Sequence, residues 1–237
     1  MRVRLAARQN GRMDPRLRAA VDASRHWYDD VFALHGIPVR VEDGLWSALA
    51  APPPWHSAAK TLEPAVGTDR VVRAVAGLEH CAVADSFGEI EPERHGFELL
   101  IDARWVHRDP CRGAPDQMPG GWSVIETVDD LAEWAAAHDY TDVLPAGVLQ
   151  HPAFRILALH HDGSLVGGAV THDSGGGALG LSNTWGEGSP TASGEVLAAV
   201  AALHPDRAVT DFAQGAELDA LLAAGFTAVG PQRVWVR

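Results

Sequence analysis

A short glycine-containing loop at residues 185–189, Trp-Gly-Glu-Gly-Ser, carries the clearest chemical signal in the sequence. It follows a strand-like run, and Ser189 and Pro190 are typical of the first residues of a helix. The backbone N–H groups at the start of a helix are unpaired and attract anions. Gly186 and Gly188 would let a ligand approach the backbone closely. The loop therefore predicts a site for a phosphate or a phosphate-bearing cofactor.

Other clusters of reactive residue types give weaker signals. His160, His161 and Asp162 are metal-ligand types, but neighbouring strand residues point to opposite faces, so both histidines would not easily reach one ion. The glycines of residues 174–177 lie between two strand-like runs, which favours a hairpin over a phosphate loop. No arrangement of serine, histidine and acid indicates a hydrolase. We therefore expect neither a metal site nor hydrolase chemistry.

The composition indicates an ordinary soluble protein, with 46% hydrophobic and 21% charged residues in 237. A net charge of −12 argues against nucleic acid as a partner and is compatible with a cationic small molecule. Cys81 and Cys111 lie far apart in sequence, which favours free thiols. Lys60 is the only lysine, a bias typical of a GC-rich bacterial genome. Without a visible signal peptide or membrane span, the sequence predicts a cytoplasmic protein.

Two segments of regular structure would position the candidate loop. The first, residues 14–108, predicts an α/β module that begins with an amphipathic helix at 16–34, for which Gly36 is a plausible stop. Thr68 or Asp69 could cap a second helix that ends at Leu78. Strand patterns cover residues 37–41, 81–84 and 96–106. Residues 109–121 contain three prolines and three glycines and predict a linker.

The second segment, residues 122–237, predicts a longer series of elements. A strand at 122–126 precedes a helix at 128–138, which Thr127 caps. Three antiparallel strands then follow at 154–160, 165–171 and 178–183. Ser189 begins a helix that must stop before Pro205. A strand at 208–212, a helix at 216–224 closed by Gly225, and a strand at 234–236 complete the chain.

This order of elements resembles the GCN5-related N-acetyltransferases (GNATs). The end of the chain strengthens the resemblance, which covers residues 122–237: a leucine-rich helix is followed by Ala224-Gly225-Phe226 and by Arg233-Val234-Trp235. The resemblance implies an α+β fold with a mixed, mostly antiparallel central sheet flanked by helices. The smaller α/β module would precede it, either as a cover for the acceptor side of the cleft or as a degenerate copy of the same fold.

The resemblance also implies an activity, the transfer of an acetyl group from acetyl-CoA to a small amine. In such enzymes a splayed strand, a loop and a helix N-terminus hold the cofactor, and a base removes the proton of the amine. The backbone of Leu181, Ser182 and Asn183 would hold the carbonyl. Cofactor contacts would come from Trp185, Gly186, Gly188 and Ser189. Candidate bases are His172, Asp173, Glu187 and Asp211. The protein would act as a monomer or homodimer.

The sequence departs from the family pattern in two places. Members usually open the phosphate loop with Gln or Arg, whereas Glu187 places a negative charge there. Many members use a tyrosine beside the penultimate helix to protonate the leaving thiolate, but Tyr28 and Tyr140 are the only tyrosines and neither is predicted there. The alternative interpretation is therefore a catalytically inactive GNAT-fold binding protein that has lost the CoA loop.

Overall fold

The structure, a computed structural model, describes residues 13–111, 113, 117–186 and 194–237. Five α-helices and eleven β-strands lie within these residues. Up to the predicted linker the elements are α1 (Pro15–Leu34), β1 (Val39–Glu42), β2 (Leu45–Ala48), β3 (Ala59–Thr61), α2 (Thr68–Ala74), β4 (Ala82–Asp85) and β5 (Glu98–Arg108). After it come β6 (Trp122–Val124), α3 (Val128–Ala137), β7 (Phe154–His161), β8 (Ser164–His172), β9 (Leu179–Gly186), α4 (Glu195–Leu203), β10 (Val209–Ala213), α5 (Gly215–Ala223) and β11 (Thr227–Val236).

Helix α1 is the element on which the site later depends. The Asp14 side chain accepts a hydrogen bond from the Arg16 backbone, and Pro15 takes the first helical position, so two start signals coincide. Gly36, with a positive φ, follows the last turn. One face of the helix packs against β5, β9, β10 and β11. The predicted helix at 16–34 is thereby confirmed, and it lies across the centre of the sheet.

All eleven strands form one sheet in the order β1-β2-β3-β4-β11-β5-β10-β9-β8-β7-β6. The predicted α+β class with a mostly antiparallel sheet is confirmed. Strand β11, from the end of the chain, pairs with β4 and β5, and β5 pairs in turn with β10. Both predicted segments therefore contribute to a single sheet, and their last strands lie side by side at its centre.

Two parts of the sheet repeat one pairing pattern. Strands β3 and β4 are parallel neighbours connected through α2, and β9 and β10 are parallel neighbours connected through a segment that includes α4. In the first part, β4 lies next to β11, the last strand of the second segment. In the second part, β10 lies next to β5, the last strand of the first segment. The prediction that the first module is a degenerate copy stays a prediction, and this pattern fits it.

Several element boundaries differ from the sequence-based ones. Strands β2 and β3 were missed because they are short, and β2 is buried throughout, so no polar alternation marks it. Trp185 and Gly186 belong to β9 rather than to a loop, because they pair with Gly168 and Gly167 of β8. The predicted start of a helix at Ser189 lies outside the described residues. Among the described helices, none combines the length and the hydrophobicity that spanning a membrane requires.

Candidate functional site

The candidate site lies where β9 and β10 separate. The two strands pair only at Leu179 with Val209 and at Gly180 with Thr210. Beyond these pairs β9 continues to Gly186 and β10 to Ala213, each still paired with its outer neighbour. The inner edges of both strands consequently present backbone N–H and C=O groups to the gap rather than to each other.

A bulge in β9 accompanies this separation. The pairing with β8 shifts between Gly168 and Val170, so that Asn183 and Thr184 face one residue of β8. Asn183 has a φ of 52°, in the left-handed region that asparagine tolerates better than most residues. Bulges bend a strand and increase its twist. The residue at 183 thus provides a local cause for the departure of β9 from β10.

A cavity of about 550 Å³ opens into the gap. Its walls come from α1, the loop before β3, the end of α3, strands β5, β9 and β10, and α5. Six aromatic side chains line it: Trp27, Tyr28, Trp55, Trp105, Tyr140 and Phe212. Three carboxyl groups also line it: Asp139, Asp211 and Glu217. The structure describes no arginine or lysine side chain in this lining.

Of the predicted bases that the structure describes, Asp211 is the one that lines the cavity. It lies on β10 directly after the last pair with β9, and it is half-buried. Burial raises its pKa well above the ordinary value for aspartate, and the neighbouring Glu217 raises it further. Glu217 is exposed at the cavity rim, yet partial desolvation raises its pKa as well. A carboxyl group with a raised pKa in a cleft is suited to accept a proton at neutral pH.

The side chain of Asn183 connects β9 to the end of α3. Its Oδ1 lies 3.4 Å from His138 Nε2, and its Nδ2 donates to Ser182 Oγ over 3.1 Å. The ring of Trp185 stacks on His138, with centroids 5.6 Å apart. Burial raises the pKa of Tyr140, so its hydroxyl stays protonated at neutral pH. Tyr140 lines the cavity and packs against His138, with ring centroids 5.2 Å apart, and this position was not predicted from the sequence.

His56 lines the cavity but is held as a neutral group. The Trp27 indole N–H donates to His56 Nε2 over 3.0 Å, and His56 Nδ1 lies 2.9 Å from the carbonyl oxygen of Pro54. Nδ1 must therefore carry the hydrogen, because the carbonyl can only accept. Burial lowers the pKa of His56 to about 4. The ring orients Trp27 and is unsuited to take up a proton.

Lys60 lies behind the cavity wall. Its side chain is 1% exposed, and Nζ is 4.9 Å from the ring centroid of Tyr28 and 5.2 Å from that of Trp105. Burial lowers its pKa to about 7. The structure describes no carboxylate within ion-pair distance of it. The Lys60 amine therefore lies against the rings of Tyr28 and Trp105, and both of these residues also line the cavity.

The remaining predicted site residues lie elsewhere or are not described. His172 is 1% exposed and its Nε2 lies 2.7 Å from Asp30 Oδ2, outside the cavity lining. Asp173 pairs with Arg207 over 2.8 Å, also outside the lining. Leu181, Ser182 and Asn183 line the cavity beside Asp211, whereas Trp185 lies outside the lining and packs against Trp134, with ring centroids 6.0 Å apart. Glu187, Gly188 and Ser189 lie outside the described residues.

The contribution of α1 to the cavity was not predicted from the sequence. Ala20, Ala23 and Ser24 face the cavity with Trp27 and Tyr28, so small side chains leave a space that two aromatic rings border. Spacings of three and four residues put these positions on one helix face. The pattern was visible in the sequence, but it was interpreted only as an apolar face toward a core.

Comparison with solved structures places this arrangement in a known fold. A GCN5-related N-acetyltransferase from Kribbella flavida superposes with a TM-score of 0.60 at 13% identity, covering 92% of this chain and 95% of that chain. A GCN5-related N-acetyltransferase-like protein from Streptococcus suis gives 0.53 at 12% identity, with coverages of 94% and 98%. The chain has the GNAT fold. A conserved protein of unknown function from Staphylococcus epidermidis gives 0.60 at 12% identity, with coverages of 85% and 94%.

The GNAT-fold similarity is wider than the sequence resemblance, which covered residues 122–237. Each of these three solved chains matches more than four fifths of this chain, so the first segment lies within the shared architecture. No protein-family model matches the sequence. No curated protein matches it either. The structural comparisons establish the fold.

Proposed function

We propose that this GNAT-fold protein transfers an acetyl group from acetyl-CoA to a small amine. The observation that carries the proposal is the separation of β9 and β10 at a cavity with Asp211 at the point of separation. When bound, acetyl-CoA would supply the acetyl thioester. The chain would supply a binding cleft, hydrogen-bond donors and a base.

The cleft fits an extended acyl carrier. Beyond Gly180 and Thr210 the described edges of β9 and β10 do not pair with each other, so backbone groups there would hydrogen-bond amide groups of a ligand, as a further strand would. Gly180 has no side chain to narrow the gap, and a Cβ built there would meet only the His172 carbonyl oxygen, at 3.8 Å. Leu181, Ser182 and Asn183 would hold the carbonyl oxygen of the acetyl group from their backbone.

Asp211 would act as the general base. A base must be unprotonated to accept a proton, and it works best when its pKa is near the working pH. Burial and Glu217 both raise the pKa of Asp211 toward that range. Glu217 would thus tune the base and remain protonated to a higher pH than an ordinary glutamate. The aromatic walls would limit the access of water to the reacting groups.

Binding of acetyl-CoA should raise the melting temperature of the purified protein. A ligand at 100 times its dissociation constant adds about 2.7 kcal/mol of stability, or roughly 5–10 °C for a protein of this size. The measurement is a thermal scan with and without millimolar acetyl-CoA, with adenosine as control. Release of free CoA on addition of an amine mixture then reports transfer.

The two steps separate the proposal from its alternative. Stabilisation followed by amine-dependent CoA release supports an acetyltransferase. If acetyl-CoA stabilises the protein but no amine causes release of free CoA, the result favours a GNAT-fold protein that binds CoA but is inactive. No stabilisation at saturating cofactor contradicts the proposal and favours a protein that has lost the CoA loop, for which Glu187 in the loop sequence is the motivating observation.

A further inference from the structure

The aromatic side of the cavity indicates which kind of amine would accept the acetyl group. This inference rests on the proposed function. We infer that the acceptor is a small primary amine that carries an aromatic ring and no carboxylate. Its ring would lie in the aromatic chamber, defined as the part of the cavity lined by Trp27, Tyr28, Trp55, Trp105, Tyr140 and Phe212. Its amine would reach Asp211.

The two faces of the sheet divide the cavity into an aromatic and an acidic part. Thr210 and Phe212 lie on the α1 face of β10, where Phe212 contacts Trp105 at a centroid distance of 5.5 Å. Side chains alternate along a strand, so Asp211 points to the other face, toward α5 and Glu217. The gap between β9 and β10 joins the two parts. A molecule in the chamber would therefore meet the carboxyl group at the gap.

The size of the chamber follows from small residues on α1. Ala20, Ala23 and Ser24 occupy three cavity-facing positions where larger side chains would fill the space. Flat rings border that space, and aromatic rings pack well against one another. A ring-bearing acceptor would bury more apolar surface here than a short aliphatic amine would.

Trp55 closes the outer end of the chamber. It is 74% exposed although it lines the cavity, and it follows three consecutive prolines. Its φ of 64° is unusual for a bulky residue. An exposed tryptophan held in such a backbone conformation at the mouth of a cavity is suited to stack on an entering ring.

Below about pH 7, where its amine is protonated, Lys60 would influence the orientation of the acceptor. Its amine lies about 5 Å behind the rings of Tyr28 and Trp105. Whenever Lys60 is protonated, a second cation on the cavity side of these rings would be repelled. The uncharged ring of the acceptor is therefore favoured at Tyr28 and Trp105, and the amine is favoured at the acidic end.

The charges of the lining disfavour a carboxylate on the acceptor. The described lining contains three carboxyl groups and no arginine or lysine side chain. Burial lowers the pKa of both histidines that line it, His56 and His138, so both are neutral at neutral pH. A carboxylate in this cavity would lose its hydration without gaining a positive partner. A free amino acid is thus a poorer acceptor than the corresponding amine.

Four related compounds test the inference with the full-length protein and saturating acetyl-CoA. Tryptamine has the ring and the amine, tryptophan adds a carboxylate, tryptophol lacks the amine, and ethylamine lacks the ring. We expect kcat/KM for tryptamine to exceed that for ethylamine roughly 10- to 100-fold, from burial of the ring. We expect kcat/KM for tryptamine to exceed kcat/KM for tryptophan by about 100-fold. Tryptophol should inhibit competitively against tryptamine.

A variant of α1 localises the effect. Ser24→Phe should fill the chamber and lower kcat/KM for tryptamine about tenfold, while kcat/KM for ethylamine changes less than about twofold. Ala33→Phe is the matched control, because Ala33 is exposed on the same helix and lies outside the cavity lining. Trp55→Ala should lower kcat/KM for tryptamine about threefold, because the stacking contact with the ring is lost.

The outcomes distinguish this inference from the proposed function. If acetyl-CoA stabilises the protein and ethylamine or tryptophan is acetylated as efficiently as tryptamine, the inference is overturned and the acetyltransferase proposal stands. If Ser24→Phe lowers kcat/KM for tryptamine and for ethylamine by the same factor, the inference is also overturned, because the ring of tryptamine would then not lie in the chamber. If acetyl-CoA does not bind, the proposed function itself fails, and with it this inference.

Discussion

Replacing Asp211 by asparagine should lower kcat/KM for acetyl transfer by about 10²- to 10⁴-fold, the usual contribution of a general base. Asparagine has nearly the same shape but does not take up the proton of the amine. The Phe212 backbone N–H, which donates to Asp211 Oδ1 over 2.7 Å, would keep an oxygen acceptor. We therefore expect the melting temperature and the affinity for acetyl-CoA to change little.

The pH dependence of the reaction provides a second readout of Asp211. The pKa of this carboxyl group is raised well above its ordinary value, first by burial and then by Glu217. A base is active only when deprotonated, so wild-type kcat/KM should fall as the pH drops through that raised pKa. The Asp211→Asn variant should lack this acidic limb in its residual activity.

Two control variants separate Asp211 from the other predicted bases. Asp173→Asn breaks the ion pair with Arg207, and His172→Gln changes the contact with Asp30, but neither side chain lines the cavity. Both should leave kcat/KM within about threefold of wild type, as expected for side chains that lie outside the cavity lining. Near-normal activity in Asp211→Asn, or a large loss in either control, would show that another group removes the proton.

Replacing Lys60 by methionine should remove a strong pH dependence from the stability of the protein. The pKa of Lys60 falls from 10.5 to about 7 on burial. Between these values the unfolded chain binds a proton that the folded chain does not, so the free energy of unfolding rises with pH. The expected slope from this one residue is about 1.4 kcal/mol per pH unit.

The measurement is the free energy of unfolding in urea at pH 7.5, 8.25 and 9 for wild type and Lys60→Met. This pH window excludes Tyr28 and Tyr140, because burial raises their pKa values above the ordinary 10.0 and both states keep the phenol proton. The difference in the free energy of unfolding between wild type and Lys60→Met should shrink steadily as the pH rises. At pH 7.5 the methionine variant should be the more stable, because a buried apolar chain carries no charge to desolvate.

Lys60→Arg is the matched control for charge. Its guanidinium stays protonated across this window, so the variant should be strongly destabilised and should lack the slope attributed to Lys60. Parallel wild-type and Lys60→Met curves from pH 7.5 to 9 would contradict the account, because Lys60 would then keep its charge in the folded protein. Since Lys60 is the only lysine, no other lysine contributes to the comparison.

Local sequence signals predicted those elements of the fold that carry their own start and stop residues. Gly36 follows α1, Thr127 caps α3, and Gly225 follows α5. The hairpin of β7 and β8 was predicted from Asp162 and Gly163, both of which adopt a positive φ. Such features depend on a few adjacent residues, so a single sequence is sufficient to show them.

Contacts between distant parts of the chain could not be predicted in the same way. Strand β5 pairs with β10 and β11, which lie about a hundred residues or more further along the chain, and only the sheet order reveals it. The cavity combines α1, the end of α3 and the gap beyond Gly180, so Tyr28 and Tyr140 meet there without any shared motif. Leu181, Ser182, Asn183 and Asp211 were named through the GNAT resemblance, which orders the strands that bring them together.

Isothermal titration of acetyl-CoA into wild type and Gly180→Val tests the central claim, that the gap between β9 and β10 is the cofactor cleft. A Cβ at Gly180 makes no clash, and a valine side chain there would project into the cavity on the face of the sheet, next to the start of the gap. Gly77→Val, where a Cβ meets nothing within 4 Å, is the control. We predict binding by wild type and by the control, and a loss of at least about tenfold in the variant. Equal affinity in all three proteins, or none in wild type, would contradict the assignment of this cleft.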